Sequence, residues 1–142
     1  MSLYLDTSVA GTLLLRDAGA DACSDWLEHR AEDAGWSDFA NGELVSAIGL
    51  RVRRGQFTET DGTRIVDAIA DFTRAWLRFS ADSPDIAAAT GFLAQFDLGL
   101  RLPDAIHIAM AQRLDCTLVS TDRRQLKAAR ALGVPIADPS VC

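Results

Sequence analysis

With 142 residues, 49% of them hydrophobic, the chain is the size of one domain and can bury a sizeable core. A net charge of −6 with 24% charged residues excludes disorder as the main state; it weighs against a broadly basic nucleic-acid-binding domain without excluding local basic patches. Cys23, Cys116 and Cys142 are odd in number and widely spaced, with no CxxC or Cys/His cluster, so neither a zinc knuckle nor a disulfide scaffold is expected and a reducing cytoplasm is the natural compartment.

Short apolar runs alternate with helical patterns. Ser2 to Leu5 enters Asp6 and predicts a first strand. Val9 to Arg16 and Ala20 to Arg30 predict two helices; in the second, Cys23, Trp26 and Leu27 fall at helical spacing. The apolar run Val9 to Leu15 follows an aspartate, not a basic segment, and is too short for a bilayer, so no secretory signal or membrane span is expected. Gly35 to Ser37 predicts a very short strand, and Asp38 to Arg54 a helix stopped by Gly55. Thr58 to Ala75 predicts another helix, with Ile65, Ile69, Phe72 and Trp76 along one face. Trp76 to Phe79 then predicts a strand, and Pro84 to Leu98 an alanine-rich helix. Pro103 opens the next helix, since proline fits a first turn without losing a bond, and this helix runs to about Leu114. Thr117 to Ser120 predicts a strand, Arg123 to Leu132 a helix and Val134 to Ala137 a final strand. With no linker or repeat, residues 1–142 are expected to form one α/β domain, a central, mostly parallel sheet with helices on both faces.

Four acids sit where a strand or loop runs into a helix: Asp6 in LYLDTSV, Glu43 in NGELVSA, Asp104 in LPDAIHIA and Asp122 in LVSTDRRQL. Each alone has a local structural explanation. Asp6 would cap the first helix, Glu43 would complement a macrodipole, Asp104 follows a first-turn proline, and Asp122 with Gln125 resembles a capping box. Together they say more, because a parallel sheet opens its strand carboxyl ends into one crevice. Clustered carboxylates raise one another's pKa, and a hard divalent cation with oxygen ligands relieves them. The Glu43 helix carries Ala47, Leu50 and Arg54 on one side and Leu44, Val45, Ile48 and Val52 on another. It is therefore expected to be wedged into the body, with Glu43 half-buried and in need of a partner. Ser8 and Ser120 accompany Asp6 and Asp122 as hydroxyls able to hold a metal-bound water or orient a carboxylate.

His107 lies one turn after Asp104 and is read as a packed or capping residue with assistance at the site as the alternative. His29, among charges, is expected at the surface, and Trp26 is a candidate exposed aromatic for a dimer surface. Arg51, Arg53 and Arg54 suit the end of a helix, where cations favour the macrodipole. Arg123 and Arg124 open a helix, where cations are unfavourable, so they are the better candidates for phosphate contact or for pairing with an acidic partner. No GxGxxG, Walker loop, GxSxG or HExxH is present, which leaves dinucleotide, phosphate-loop, serine-hydrolase and zinc-protease chemistry unsupported.

LDTSV, the glutamate of GELVSAI, LPDAIHIAMA and LVSTD, in that order and spread over essentially the whole chain, resemble the PIN domain, specifically the VapC toxins of bacterial type II toxin–antitoxin pairs. The resemblance implies a PIN-like three-layer fold and a Mg²⁺-dependent endoribonuclease, with Mn²⁺ as an alternative ion. It also implies a homodimer held inactive by a cognate antitoxin, with RNA as substrate and no membrane. By position it assigns Asp6, Glu43, Asp104 and Asp122 as catalytic and metal-binding, with Ser8 and Ser120 beside them. Three other readings stay open from the residues alone. One is a PIN-like nuclease of RNA processing. Another is a phosphotransfer domain with Asp6 as nucleophile, although such domains generally want a second Asp where Ser8 stands. The last is a non-catalytic interaction module whose acids only cap helices.

Overall fold

A computed structural model describes residues 1–140. Cys142 lies outside the described residues, while Cys23 and Cys116 are buried free thiols. The strands β1 (Leu3–Leu5), β2 (Ala34–Ser37), β3 (Leu77–Phe79), β4 (Thr117–Val119) and β5 (Ile136–Ala137) form one sheet in the order β3-β2-β1-β4-β5, every pairing parallel. The helices are α1 (Thr7–Leu15), α2 (Ala20–Glu28), α3 (Asp38–Arg53), α4 (Glu59–Phe72), α5 (Ser83–Leu93), α6 (Leu102–Arg113) and α7 (Arg123–Ala131).

β1 shows why LYL is apolar at every position. A central parallel strand is covered on both faces, and side chains alternate between them. Leu3 and Leu5 enter a core with Val9, Trp36, Leu44 and Ile48, on the side of α1, α3 and α4. Tyr4 enters the opposite core with Ile108, Met110, Leu118 and Ala128, on the side of α5, α6 and α7. Full burial of each leucine contributes about 1.5–3 kcal/mol. The result is three layers, as the sequence predicts. Gly35 has a role on this sheet: a Cβ there would stand 2.7 Å from Leu77 Cβ and 2.8 Å from Phe79 Cε2. Its absence lets Phe79 lie across β2 and stack on Tyr4, with ring centroids 5.9 Å apart and planes 8° from parallel.

Four expectations need correction. The helix expected over Pro84–Leu98 stops at Leu93; Gln95 leaves the helical region, and a 3-10 turn at Phe96–Leu98 ends on left-handed Gly99. That break turns the chain so that Leu98 and Leu100 pack against the second core. The α4 helix ends at Phe72, freeing Trp76 to pack edge-on against Trp36 at 5.6 Å instead of extending β3. The α3 helix is buried along Ala40, Leu44 and Ile48 only; Val45 and Leu50, on different sides of it, are 38% and 39% exposed, uncovered by the described residues. Trp26 is half-buried against the first core with the Arg30 guanidinium 4.7 Å over its ring, so it is not a free aromatic.

Candidate active site

The strand order reverses at β1, since β2 and β3 continue to one side of it and β4 and β5 to the other. In open α/β sheets such a switch point leaves a crevice at the strand carboxyl ends, and ligands bind there. Asp6 leaves β1 and Asp122 follows β4, its immediate neighbour, so both acids belong to this crevice. The Asp6 amide donates to the Val119 carbonyl at 3.1 Å, carrying the pairing of the two strands one residue further.

Asp6 is both a helix cap and something more. Its Oδ1 accepts from the Val9 amide at 3.1 Å, the expected N-cap bond of α1, and from the Ser8 hydroxyl at 2.6 Å. Yet it is only 4% exposed. Burial pushes its carboxyl above the ordinary value of 3.8, against the pull of His107 and of hydrogen bonds from Ser120, Ser8 and the Val9 amide. The Ser120 hydroxyl, itself buried, also accepts from the Asp122 amide at 3.0 Å and so ties the two strand ends together. Both serines named from the sequence therefore touch the acids. No lysine or arginine forms an ion pair with Asp6 among the described residues.

Glu43 is the sixth residue of α3, too deep for a macrodipole role that fades within the first turn. As expected it is half-buried and has partners, but these are protein groups. Oε1 accepts from the Thr7 hydroxyl at 2.7 Å and lies 2.5 Å from His107 Nε2. Burial works to raise its pKa; the His107 and Thr7 bonds outweigh this and hold the carboxyl below the ordinary 4.5. His107 is 3% exposed, and its Nδ1 lies 2.7 Å from the Tyr4 hydroxyl, which in turn lies 2.8 Å from Ser37 Oγ. The reading of His107 as a packed residue holds, and its packing is against the site.

Asp104 sits in the first turn of α6, half-buried, with its pKa raised above 3.8 by burial and then by the charge of Asp122, against Arg101 and His107. Asp122 is exposed and caps α7 through the Arg124 and Gln125 amides at 3.0 and 3.2 Å. The capping box is only half made. The Gln125 side chain turns away and donates to the Asp104 carbonyl at 3.4 Å, joining the first turns of α6 and α7. Arg123 and Arg124 are exposed beside Asp122.

The site is thus a sheet-edge crevice of oxygen donors around His107. Among the described residues no three His, Cys, Asp or Glu side chains stand close enough for a ready-made metal cage. The donor set nevertheless fits a hard cation. Asp6 and Asp104 are carboxylates destabilised by burial, and Mg²⁺ typically takes only one or two protein carboxylates, completing its shell with water and substrate phosphate. Asp6, Asp104 and Asp122 would hold such an ion, with Glu43 completing the set. Tyr4 and Ser37 escaped the sequence reading. A signal existed: Tyr4 lies two residues before Asp6 in an extended segment and so shares its face, and Ser37 ends β2 as Asp6 follows β1.

The sequence profile of the PIN domain matches residues 3–131. Ribonuclease VapC46 of Mycobacterium tuberculosis (strain ATCC 25618 / H37Rv) is 31% identical over 142 residues, covering 98% of each chain. Among solved structures, FitAcB from Neisseria gonorrhoeae superposes with a TM-score of 0.76 at 18% identity, covering 99% of each chain. A toxin–antitoxin complex from Klebsiella pneumoniae gives 0.67 at 16% identity, covering 98% of each chain. At these identities the structural likenesses speak for the fold.

Proposed function

Because the chain belongs to the PIN domain family, we propose that it is a divalent-metal-dependent endoribonuclease and the toxin of a toxin–antitoxin pair. A full-length relative named as a ribonuclease supports the RNA-cleaving activity, and a structural neighbour that is a toxin–antitoxin complex supports an antitoxin as partner. The observation that carries the reading is Asp6, a buried carboxylate at the switch point with hydroxyl and amide partners and no lysine or arginine ion pair among the described residues. A group so placed is a functional-site candidate on physical grounds.

Mg²⁺ is the proposed ion, with Mn²⁺ as the alternative, held by Asp6, Asp104 and Asp122 with Glu43 completing the set. When bound it neutralises charge on the scissile phosphate and activates the attacking water. The remaining work belongs to the chain. Ser8 and Ser120 orient Asp6, Asp122 lies at the β4 side, and Arg123 and Arg124, exposed at the start of α7 next to Asp122 in sequence, would meet phosphates or an acidic antitoxin segment. Water attacks phosphorus, the bond to the 3′ oxygen breaks, and a 5′-phosphate remains on the downstream fragment. The proposed protein is one domain, acts as a homodimer and works in the cytoplasm; no helix among the described residues is long and apolar enough to cross a membrane.

The test compares the parent and Asp6→Asn on single-stranded RNA at saturating Mg²⁺. Loss of transition-state charge stabilisation worth several kcal/mol makes Asp6→Asn at least about 100-fold slower. Equal rates would remove Asp6 from the site. Induced expression of the two forms, with growth and RNA integrity followed together, tests the toxin role: only the parent should arrest growth.

A further inference from the structure

Behind the carboxylates lies a buried row of hydrogen bonds that contacts no reacting atom. Its polarity can be worked out. An ionised Glu43 can only accept, so its 2.5 Å contact requires the hydrogen on His107 Nε2. In its neutral form the imidazole then has a bare Nδ1, to which the Tyr4 hydroxyl donates at 2.7 Å. The Tyr4 oxygen takes the Ser37 hydroxyl hydrogen at 2.8 Å, and Ser37 Oγ accepts from the Ala40 amide at 3.0 Å. The other acceptor near the Tyr4 hydroxyl is Met110 Sδ at 3.5 Å, a weak one, so the 2.7 Å contact with Nδ1 is the stronger bond. Turning the Tyr4 hydrogen toward Ser37 Oγ would leave the hydroxyl hydrogen of Ser37, which is 1% exposed, without an acceptor among its described contacts. The rings are held as well: Phe79 stacks on Tyr4, and Phe39 meets His107 edge-on at 5.3 Å. A metal-site carboxylate backed by a tautomer-locked imidazole is held in one orientation, and such outer partners tune cation affinity.

We infer that His107 is a positioning residue for Glu43: the Ser37–Tyr4–His107 row presents Nε2–H to Glu43 Oε1 and so orients this carboxylate for the cation. The Thr7 and His107 bonds both fall on Oε1, which leaves Oε2 outside them as the oxygen available to the ion. Thr7 and His107 thus divide the two oxygens of Glu43 between protein and cation. This role rests on the cation-site reading above.

The test is Mn²⁺ binding by isothermal titration calorimetry on the full chain without RNA, with thermal melts to establish folding. His107→Gln can place an amide N–H where Nε2 stands, whereas His107→Asn reaches only the Nδ1 position. His107→Asn should weaken Mn²⁺ binding about 10–100-fold, while His107→Gln stays within about threefold of the parent. Tyr4→Phe keeps the ring and removes the hydroxyl that locks the tautomer, and should weaken binding several-fold. A folded His107→Asn with parental affinity overturns the inference, as does His107→Gln falling as far as His107→Asn. If His107→Asn does not fold, Tyr4→Phe decides: parental affinity there overturns the inference and weakened affinity supports it. A parent that binds no Mn²⁺ removes the cation site itself; a parent that binds while the His107 variants match it removes only the role of His107.

Discussion

The two ends of α6 each border a buried aspartate, and the protein treats them in opposite ways. At the carboxyl end, Asp85 is 1% exposed and fully matched. Arg113 grips it through Nε at 2.7 Å and Nη2 at 2.9 Å, and the Asp82 amide adds a third bond at 2.9 Å as part of the capping box of α5. Burial would raise the Asp85 pKa, but the Arg113 bonds overcome it and hold the carboxyl below 3.8. At the amino end, Asp6 is nearly as buried but meets only hydroxyls and an amide, and its pKa goes up. Burial alone is therefore uninformative about function. The informative quantity is whether the charge is answered by the chain, because an unanswered buried carboxylate costs stability unless a ligand completes it.

The largest effect that distinguishes the two ends is on stability. Breaking a buried ion pair costs about 3–5 kcal/mol, reduced here because Arg113 remains 34% exposed to solvent. Asp85→Ala should therefore lose about 2–3 kcal/mol in urea denaturation. Asp6→Asn, which keeps most of the shape and removes a desolvated charge, should leave metal-free stability unchanged or higher. An Asp6→Asn loss as great as that of Asp85→Ala would erase the distinction.

A smaller effect should come from the cation. At a Mg²⁺ or Mn²⁺ concentration ten times its dissociation constant, an ion that binds only the folded form adds about 1.4 kcal/mol to stability. Asp6→Asn should lose this increment and Asp85→Asn should keep it, measured as the shift of the denaturation midpoint on adding the ion. The reverse pattern would place the cation at the wrong end of α6.

The asymmetry was half legible in the sequence. Asp6 and Asp122 could be placed because each follows a short apolar run, and a parallel sheet sends such residues to one edge. Gly55 marked the end of α3 and Pro103 the start of α6 to within a residue or two, since both act through local backbone chemistry. The pairs that decide the electrostatics are not local. Tyr4 and His107 are 103 residues apart, Glu43 and His107 are 64, and Asp85 and Arg113 are 28. Nothing in HIAMAQR says which face of α6 docks on β1, so neither the tautomer lock nor the Arg113 grip could be read. The expected burial of α3 on two sides failed for a related reason: Leu50 on one side and Val45 on the other are apolar, but whether a neighbour covers them is a tertiary matter. In the helix over-extended to Leu98 the internal glycine, Gly91, stays within α5, and the bend comes at Gln95, where neither glycine nor proline marks it.

The finest discrimination lies in the pH dependence of the metal-free protein. Asp6 has a raised folded pKa, so between the unfolded value of 3.8 and that higher folded value the native state holds a proton the unfolded chain has released. Its contribution is fully present below 3.8 and is lost as pH rises through the folded pKa. Asp85 has a lowered folded pKa, so its contribution is present above 3.8 and is lost as pH falls through the folded value. Denaturation in EDTA across this range should show Asp6→Asn gaining on the parent as pH rises above 3.8, and the parent losing its advantage over Asp85→Asn only below 3.8. The two difference curves must bend in separate windows and with opposite sign. If both bent below 3.8, Asp6 would be a matched structural acid like Asp85, and the crevice would lose the most deeply buried of the charges that call for a cation.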